Sequence, residues 1–569
     1  NPEEVWKSIP SYYQKVILKN EIRVFFLDAF KIARSEASDA ELQYRMQGMA
    51  FQGAFFQATR ELAIFAEKKL TESSLFVTIE HKLNQKFGSK GRRIVEDNLR
   101  VVLRGYQESH DLGVRLAIPG SDIAPALEAA RKLPIMLKTL PQSKDKISDI
   151  HHFWEETGMF YRAGNPGTLP ASPAMAISAI PASTGVFKDM TEIRFEVPQW
   201  LAERCTGCGH CWTACPDTAI PGLVHETGEV VQTVLSRLKR KGQYEHLDRV
   251  AKPLEKRLYK LCREGGSGKS VLSYLEQAIE EQINLEQDIS RDAVRRELQL
   301  FREEWNGFDF ALTRPFFTLP DEEVAGKGGL LSITINPYTC KGCMGCVSVC
   351  NDNALIAVNQ TRERSAEQKK HWDFWLDLPE VQERFQRIDD LEGGVGALET
   401  LLINKSIYNS MSGGDGACLG CAEKTVLHLF TATVTALMQK RVRTHLTRIE
   451  ELIGKLERQV QDGLLGKLSA TELEKALNGL QKEEIHAADL PLLQQGEPLD
   501  VARLKELTET IHKLKELRLR YVEGTTGQGR TALGAVNATG CSSVWGSTYP
   551  VNPYPFPWVN HLFQDAPSM

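Results

Sequence analysis

Eight of the chain's twelve cysteines fall into two runs of one pattern, and that pattern carries the first chemistry legible in the sequence. Cys205, Cys208, Cys211 and Cys215, followed by Pro216, fit C-x2-C-x2-C-x3-C-P. Cys340, Cys343, Cys346 and Cys350 repeat the spacing with Asn351 in place of the proline. A loop spaced in this way presents three thiolates to one [4Fe–4S] cube, and the fourth cysteine ligates the other cluster in two-cluster ferredoxins. On that rule Cys205, Cys208 and Cys211 share a cube with Cys350, while Cys340, Cys343 and Cys346 share one with Cys215. Zinc is the competing reading, because C-x2-C pairs also form zinc knuckles. Zinc, however, takes four ligands spaced in pairs and leaves no use for eight. His210, inside the first run, reads as an exposed loop histidine beside a cube already supplied with thiolates.

The other four cysteines are less regular. Cys418 and Cys421 stand in Gly-Asp-Gly-Ala-Cys-Leu-Gly-Cys, Cys541 in Asn-Ala-Thr-Gly-Cys-Ser-Ser, and Cys262 alone in a helical pattern. Three candidate ligands make an odd count for a cube. Either Cys262 completes it or the ligand lies elsewhere. Two glycine-rich stretches are decoys. Gly265 to Ser270 resembles a phosphate-binding loop, but Arg263 stands where its first glycine belongs, and a helix stop is the better reading. Gly414-Asp415-Gly416 precedes a cysteine pair and is assigned no metal.

The elements that position these residues must come from several domains, since 569 residues exceed one core and call for roughly three to five units. Charged residues at 25%, hydrophobic ones at 42% and a net charge of -5 give an ordinary, slightly acidic balance that points away from nucleic acid. No apolar stretch reaches the roughly 20 residues of a membrane span, and no signal peptide is visible. Cysteines in such a chain read as metal-binding or redox groups in the cytoplasm rather than as a disulfide framework. Asn1, already within an amphipathic pattern, reads as a cut in a longer chain.

The apolar run Ile22 to Leu27 followed by helical periodicity from Ala29 to about Glu108 predicts strand then helix, and residues 1–115 are assigned to the C-terminal part of an α/β domain. Proline-rich 116–190 is a connecting segment. Strand-like pieces around the cysteine runs place a ferredoxin-like module with two clusters at 191–226 and 328–362. Between its halves, 227–327 is a helical insertion with Leu235, Leu238, Leu272, Leu275 and Ile279 on apolar faces. Residues 363–410 read as a linker. Across 441–523, Leu446, Ile449, Ile453, Leu456 and Val460, then Leu504, Leu507, Ile511 and Leu514, form a heptad seam that predicts an antiparallel helical hairpin.

The three cysteine segments together resemble pyruvate:ferredoxin (flavodoxin) oxidoreductases, thiamine-diphosphate enzymes that decarboxylate a 2-oxoacid onto coenzyme A. The family's G-A-C-x-G-C-G-E-T appears here as Gly416 to Glu423, with Ala422 for the usual Gly and Lys424 for the usual Thr. Its N-A-T-G-C-S-S is Asn537 to Ser543. The resemblance implies that Cys418, Cys421 and Cys541 hold a proximal third [4Fe–4S] cluster, with the fourth ligand beyond Met569, and that Cys262 is a small apolar residue. It implies that Glu423 and Cys541 contact thiamine diphosphate. Without it, Glu423 is a carboxylate favoured at a helix N-terminus. Residues 411–440 and 524–569 then open a thiamine-binding α/β domain. The fold class is therefore multidomain α+β and α/β, with the ferredoxin-like module between two α/β domains and two helical insertions.

The implied activity is acyl-CoA and CO2 formation from a 2-oxoacid, pyruvate first, with electrons passing through three clusters to ferredoxin or flavodoxin. A homodimer is implied, as are Mg2+ ligands and catalytic residues outside this chain. A non-catalytic polyferredoxin-like subunit is the alternative.

Overall fold

Each cysteine run is carried between two short strands. The computed structural model describes residues 1–9, 11–38, 42–43, 46–60, 71–113, 133–140, 142, 146, 149–164, 167, 169, 180–191, 193–266, 270–286, 288–387, 394–408, 418–464, 501–523, 529–537, 540–546, 549–556 and 558–560. The chain divides into two units, one of residues 1–132 with 159–168, the other of 133–158 with 169–569.

In the first unit, β1 (Phe25–Phe26) pairs antiparallel with β2 (His110–Asp111). Helices Gln47–Thr59 and Arg92–Gln107 pack closely because two glycines face the contact. A Cβ on Gly53 would lie 2.0 Å from the Val102 carbonyl oxygen, and one on Gly105 would lie 2.0 Å from that of Ala50. The described part is thus a helical body with a two-residue ladder rather than a layered α/β sheet. The run Ile22 to Leu27 gives so short a strand because it is held between a turn at Glu21, with φ of 51°, and Asp28, which caps helix Ala29–Glu36 by accepting from the Lys31 amide. Much of the connecting segment 116–190 lies outside the described residues.

The second unit holds β3 (Glu196–Trp200), β4 (Gly222–Glu226), β5 (Gly329–Ile333) and β6 (Leu355–Asn359). β3 pairs antiparallel with β6, from Glu196 opposite Asn359 to Trp200 opposite Leu355. β4 pairs with β5, from Gly222 opposite Ile333 to Glu226 opposite Gly329. Helix His210–Ala214 follows the first cysteine loop and helix Gly345–Ser348 the second. The two halves repeat in detail, since Gly209 and Met344 take the same left-handed conformation at the N-caps of these helices.

Between β4 and β5 run helices Thr227–Lys239, Leu247–Gly265, Val271–Asn284 and Asp288–Trp305. Their apolar faces, with Leu235, Leu254, Leu258, Leu275 and Leu298 buried, belong to the same core as the strands and cysteine loops. Cys262 is fully buried there, and burial pushes its thiol up to about 12. The loop 267–269 of the phosphate-loop decoy lies outside the described residues.

The segment read as a linker instead contains helix Arg362–Asp377, capped by Thr361 and burying Trp372, Phe374 and Trp375. Trp372 and Trp375 stack with centroids 4.4 Å apart and planes at 10°. Arg237 fastens this helix to the inserted helices, donating to Glu304 at 2.6 Å, to Asp373 at 2.8 Å and to Asp377.

Helix Ala422–Leu464 pairs with helix Val501–Val522 through Ile449, Ile453, Val460, Leu507 and Ile511. Ion pairs Arg518–Glu450 and Lys515–Glu457, both at 2.8 Å, show the two to be antiparallel. The first arm does not start near Arg441 but continues unbroken from the cysteine motif. β7 (Ala535–Asn537) and β8 (Trp558–Asn560) form a parallel pair. Among the described residues no helix is long and apolar enough to cross a membrane.

Candidate metal centres

Two cavities open inside the second unit, and the cysteines sort between them. One is lined by Cys205, Cys208 and Cys211 of the first run and Cys350 of the second, together with Trp200, Thr206 and Asp352. The other is lined by Cys340, Cys343 and Cys346 of the second run and Cys215 of the first, together with Asp217, Lys341 and Met344. The empty space is about 320 Å3 in the first and about 360 Å3 in the second, including each mouth. The crossing follows from the strand pairing: β3 with β6 and β4 with β5 set the two loops side by side, so the last cysteine of each loop reaches the other's cavity.

Glycines shape the loops. Gly207 and Gly342, each two residues after the first cysteine of its run, have φ of 84° and 68°, where L side chains are strained. This backbone turns the Gly207 amide toward the Cys205 sulfur and the Gly342 amide toward that of Cys340. The Ala219 amide donates to Cys215 Sγ at 3.3 Å. Among the described residues the buried Trp200 indole N–H has no oxygen or nitrogen acceptor, and Cys205 sulfur lies within its reach.

Burial drives the thiols up: Cys205 to about 12, Cys211 and Cys215 well above the ordinary thiol range, and Cys340, Cys343 and Cys346 in the same direction. Buried thiolates are therefore stable only against a compensating cation. Among the described residues no three His, Cys, Asp or Glu side chains converge on the position of a single metal ion. The cysteines surround a volume rather than a point, which is what a multi-iron cube requires of its donors. His210 is exposed as expected, but it opens helix His210–Ala214 at the edge of the first cavity rather than standing in the loop.

Of the charged residues around the second cavity only Lys424 stands out in the sequence, as a departure from the family motif. Asp217, Lys341 and Lys424 are buried, with Asp217 Oδ1 paired to Lys424 Nζ and 3.8 Å from Lys341 Nζ. Arg194, also buried, donates to the Cys340 carbonyl at 2.8 Å. The third C-x-G-C, Cys418-Leu419-Gly420-Cys421, did carry a signal, since it repeats the glycine placement of both runs. Gly420 has φ of 68° and its amide donates to Cys343 sulfur.

Cys418 is exposed and Cys421 half-buried before helix Ala422–Leu464; Cys541 is exposed at the start of helix Cys541–Gly546. The two segments are neighbours, because Leu427 packs against the cluster of Trp545, Tyr554 and Phe556. Glu423 stands in the first turn of its helix, where the dipole favours a carboxylate. Burial, and after it the Glu423 charge, push the Tyr554 phenol up.

Residues 198–220 match the family model of 4Fe-4S binding domains. The chain is 21% identical over 435 residues to a putative pyruvate-flavodoxin oxidoreductase of Synechocystis sp., covering 75% of this chain and 26% of the relative. Over three quarters of its length this chain is similar to pyruvate-flavodoxin oxidoreductases. The probable pyruvate-flavodoxin oxidoreductase of Escherichia coli (strain K12) is likewise 21% identical, over 437 residues, 75% of this chain and 27% of the relative. A pyruvate:ferredoxin oxidoreductase of Moorella thermoacetica is 21% identical over 218 residues, 38% of this chain and 16% of the relative. The chain thus spans about a quarter of the length of the first of these pyruvate-flavodoxin oxidoreductase relatives.

Proposed function

We propose that this chain is the electron-relay portion of a 2-oxoacid oxidoreductase, with pyruvate as the favoured substrate and ferredoxin or flavodoxin as the acceptor. The observation that carries the reading is the crossed sorting of eight cysteines into two four-cysteine cavities. Each cavity fits one [4Fe–4S] cube, which when bound supplies one-electron storage at a potential tuned by hydrogen bonds to sulfur, local charge and exposure. The chain's own part is to hold and tune. Cys205, Cys208, Cys211 and Cys350 ligate in one cavity, and Cys340, Cys343, Cys346 and Cys215 in the other. The Gly207, Gly342, Ala219 and Gly420 amides donate to the sulfurs, while Asp217, Lys341 and Arg194 set the charge around the second cavity.

Cys418, Cys421 and Cys541 contribute three ligands of a proximal third cube, with Glu423 and Cys541 facing thiamine diphosphate. The fourth ligand, the Mg2+ ligands and the 2-oxoacid and coenzyme A sites belong to other parts of the complete, dimeric, cytoplasmic enzyme. There the 2-oxoacid is decarboxylated onto coenzyme A, giving acyl-CoA and CO2, and two electrons leave through this region.

A polyferredoxin-like electron-transfer subunit is the second reading, favoured by a Glu423 whose position the helix dipole alone explains. Anaerobic reconstitution of the chain should give about eight iron atoms from two cubes; a chain binding fewer than about four overturns the cavity assignment. Pyruvate- and coenzyme-A-dependent reduction of a viologen dye by the full-length gene product tests the enzyme. Iron loading without turnover on any 2-oxoacid selects the subunit instead.

A further inference from the structure

The Cys418–Cys421 turn and the start of the helix after it meet the second cysteine cavity and the segment around Cys215 at three places, of which only the Gly420 contact uses a residue of the family motif. The Gly420 amide donates to Cys343 sulfur. Thr425 Oγ1 donates to the Ala214 carbonyl at 3.4 Å. Lys424, fully buried, pairs with Asp217, which itself lines the cavity. Ala214 and Asp217 flank Cys215, so helix Ala422–Leu464 grips that ligand's segment from both sides. At position 424 the family pattern has Thr, too short to reach across as an ammonium does, so the contact is a property of this sequence.

We propose that Lys424, through its buried ion pair with Asp217, is a positioning residue that clamps the Cys418–Cys421 turn onto the second cavity and sets the electrostatics between the two. The inference rests on the reading of that cavity as a [4Fe–4S] site. Two things follow from the geometry. The clamp fixes the separation across which an electron passes between Cys421 and Cys343. It also places one positive and one negative group at unequal distances from the cavity, with Asp217 on the lining and Lys424 behind it. Removing either charge alone therefore shifts the field at the cavity, and the two removals shift it in opposite senses. In a low-dielectric interior such unscreened changes act strongly.

The test is an EPR-monitored redox titration of the anaerobically reconstituted chain, in the wild type, Lys424→Met, Asp217→Asn and the double variant. Lys424→Met, which leaves the Asp217 carboxylate to Lys341 alone, 3.8 Å away, should make the cluster at Cys215, Cys340, Cys343 and Cys346 harder to reduce. Asp217→Asn should make it easier. Each effect should be about tenfold in the reduction equilibrium, or 59 mV for a one-electron couple. The neutral double variant should return the potential toward wild type, and it keeps the experiment readable where a single variant folds poorly. Hydrogen–deuterium exchange over 418–427 should rise in both single variants as the turn is released. Shifts of the same sign, or none, in iron-loaded protein overturn the ion-pair role alone. A wild-type chain that takes up no iron overturns the cavity reading itself, and this inference with it.

Discussion

Glu226 and Gly329 are register partners at the facing ends of β4 and β5, although the helices from Thr227–Lys239 to Leu319–Glu323 lie between them in sequence. Glu226 closes the strand and starts the helix at once, its amide accepted by Glu229 at 2.8 Å in a capping box. The helical body leaves the ladder and returns to it at one point. The hairpin strands and the loops they carry can therefore keep the spacing of the cysteines regardless of the helices between them.

If the fourth cysteine of each run crosses to the other cavity, single substitutions must empty the opposite site. Cys350→Ala should reduce the signal of the cluster held by Cys205, Cys208 and Cys211, and Cys215→Ala that of the cluster held by Cys340, Cys343 and Cys346. Each variant should lose about four of about eight iron atoms. Iron analysis with low-temperature EPR checks this; loss from the run's own cavity would show that the ligands do not cross.

Gly342→Ala tests the loop geometry. The new Cβ would sit 2.5 Å from the Glu196 carbonyl oxygen at a φ of 68°. The expected cost is about 2 kcal/mol, read as a lower thermal midpoint and poorer iron retention in the second cavity. An unchanged midpoint would show that the loop yields.

Acid should destabilise the chain through two buried histidines. Burial lowers both His428 and His225 from 6.5 to about 4. Because the folded value lies below the unfolded one, the unfolded state binds more protons between these limits. Stability is then full above about pH 6.5 and is lost as pH falls toward 4, by on the order of 3 kcal/mol for each group. Among the described residues neither ring nitrogen of His428 has a hydrogen-bond partner. His428→Phe should therefore flatten that part of the acid limb without weakening the protein at pH 8. Urea midpoints across the pH range give the answer, and an unchanged acid slope would count against it.

Arg237→Met leaves Glu304, which is 7% exposed, among Asp373 and Asp377 without the guanidinium. Lys241 stays on Glu304 and Arg240 on Asp377, so what is lost is the shared guanidinium's charged hydrogen bonds, about 2 kcal/mol. For Glu304, burial pulls the carboxyl up, but Lys241 and Arg237 outweigh it and hold the group below its usual 4.5. That contribution is present above about pH 4.5 and lost on further acidification. The variant should unfold at lower urea and lose part of this acid response; a wild-type urea midpoint would show that the network contributes little.

The cysteine loops were legible because their spacing is local, and the rule for two-cluster loops led to the expectation that each fourth cysteine lies at the other run's cavity, where the linings have it. What the sequence could not show was made by distant pairs. Lys424 reads as a departure from a motif until Asp217 is found beside it. The helix Arg362–Asp377 was hidden because its first nine residues are almost all polar, and only its last turns carry Trp372, Phe374 and Trp375. The heptad seam marks the hairpin's first arm only from about Leu446, whereas the helix begins at Ala422. Thr431, Thr433 and Thr435 have low helix propensity, yet each hydroxyl bonds back to a carbonyl of the preceding turn, at 3.0, 2.8 and 2.8 Å, and the helix runs through them. In the opening residues the apolar run was visible, but the turn and cap that shorten it were not.

Trp212 follows Cys211 directly, is 1% exposed, and hangs its indole N–H on the Glu399 carbonyl at 2.9 Å, with Gly222 pressed against its ring. An indole next in sequence to a cysteine of the first cavity is shielded from water by its burial. Iron–sulfur chromophores absorb at the wavelengths indoles emit, so its light should be extinguished as a cube assembles. The fold has thereby placed a luminescent gauge beside its own prosthetic site, and filling could be followed second by second without a dye.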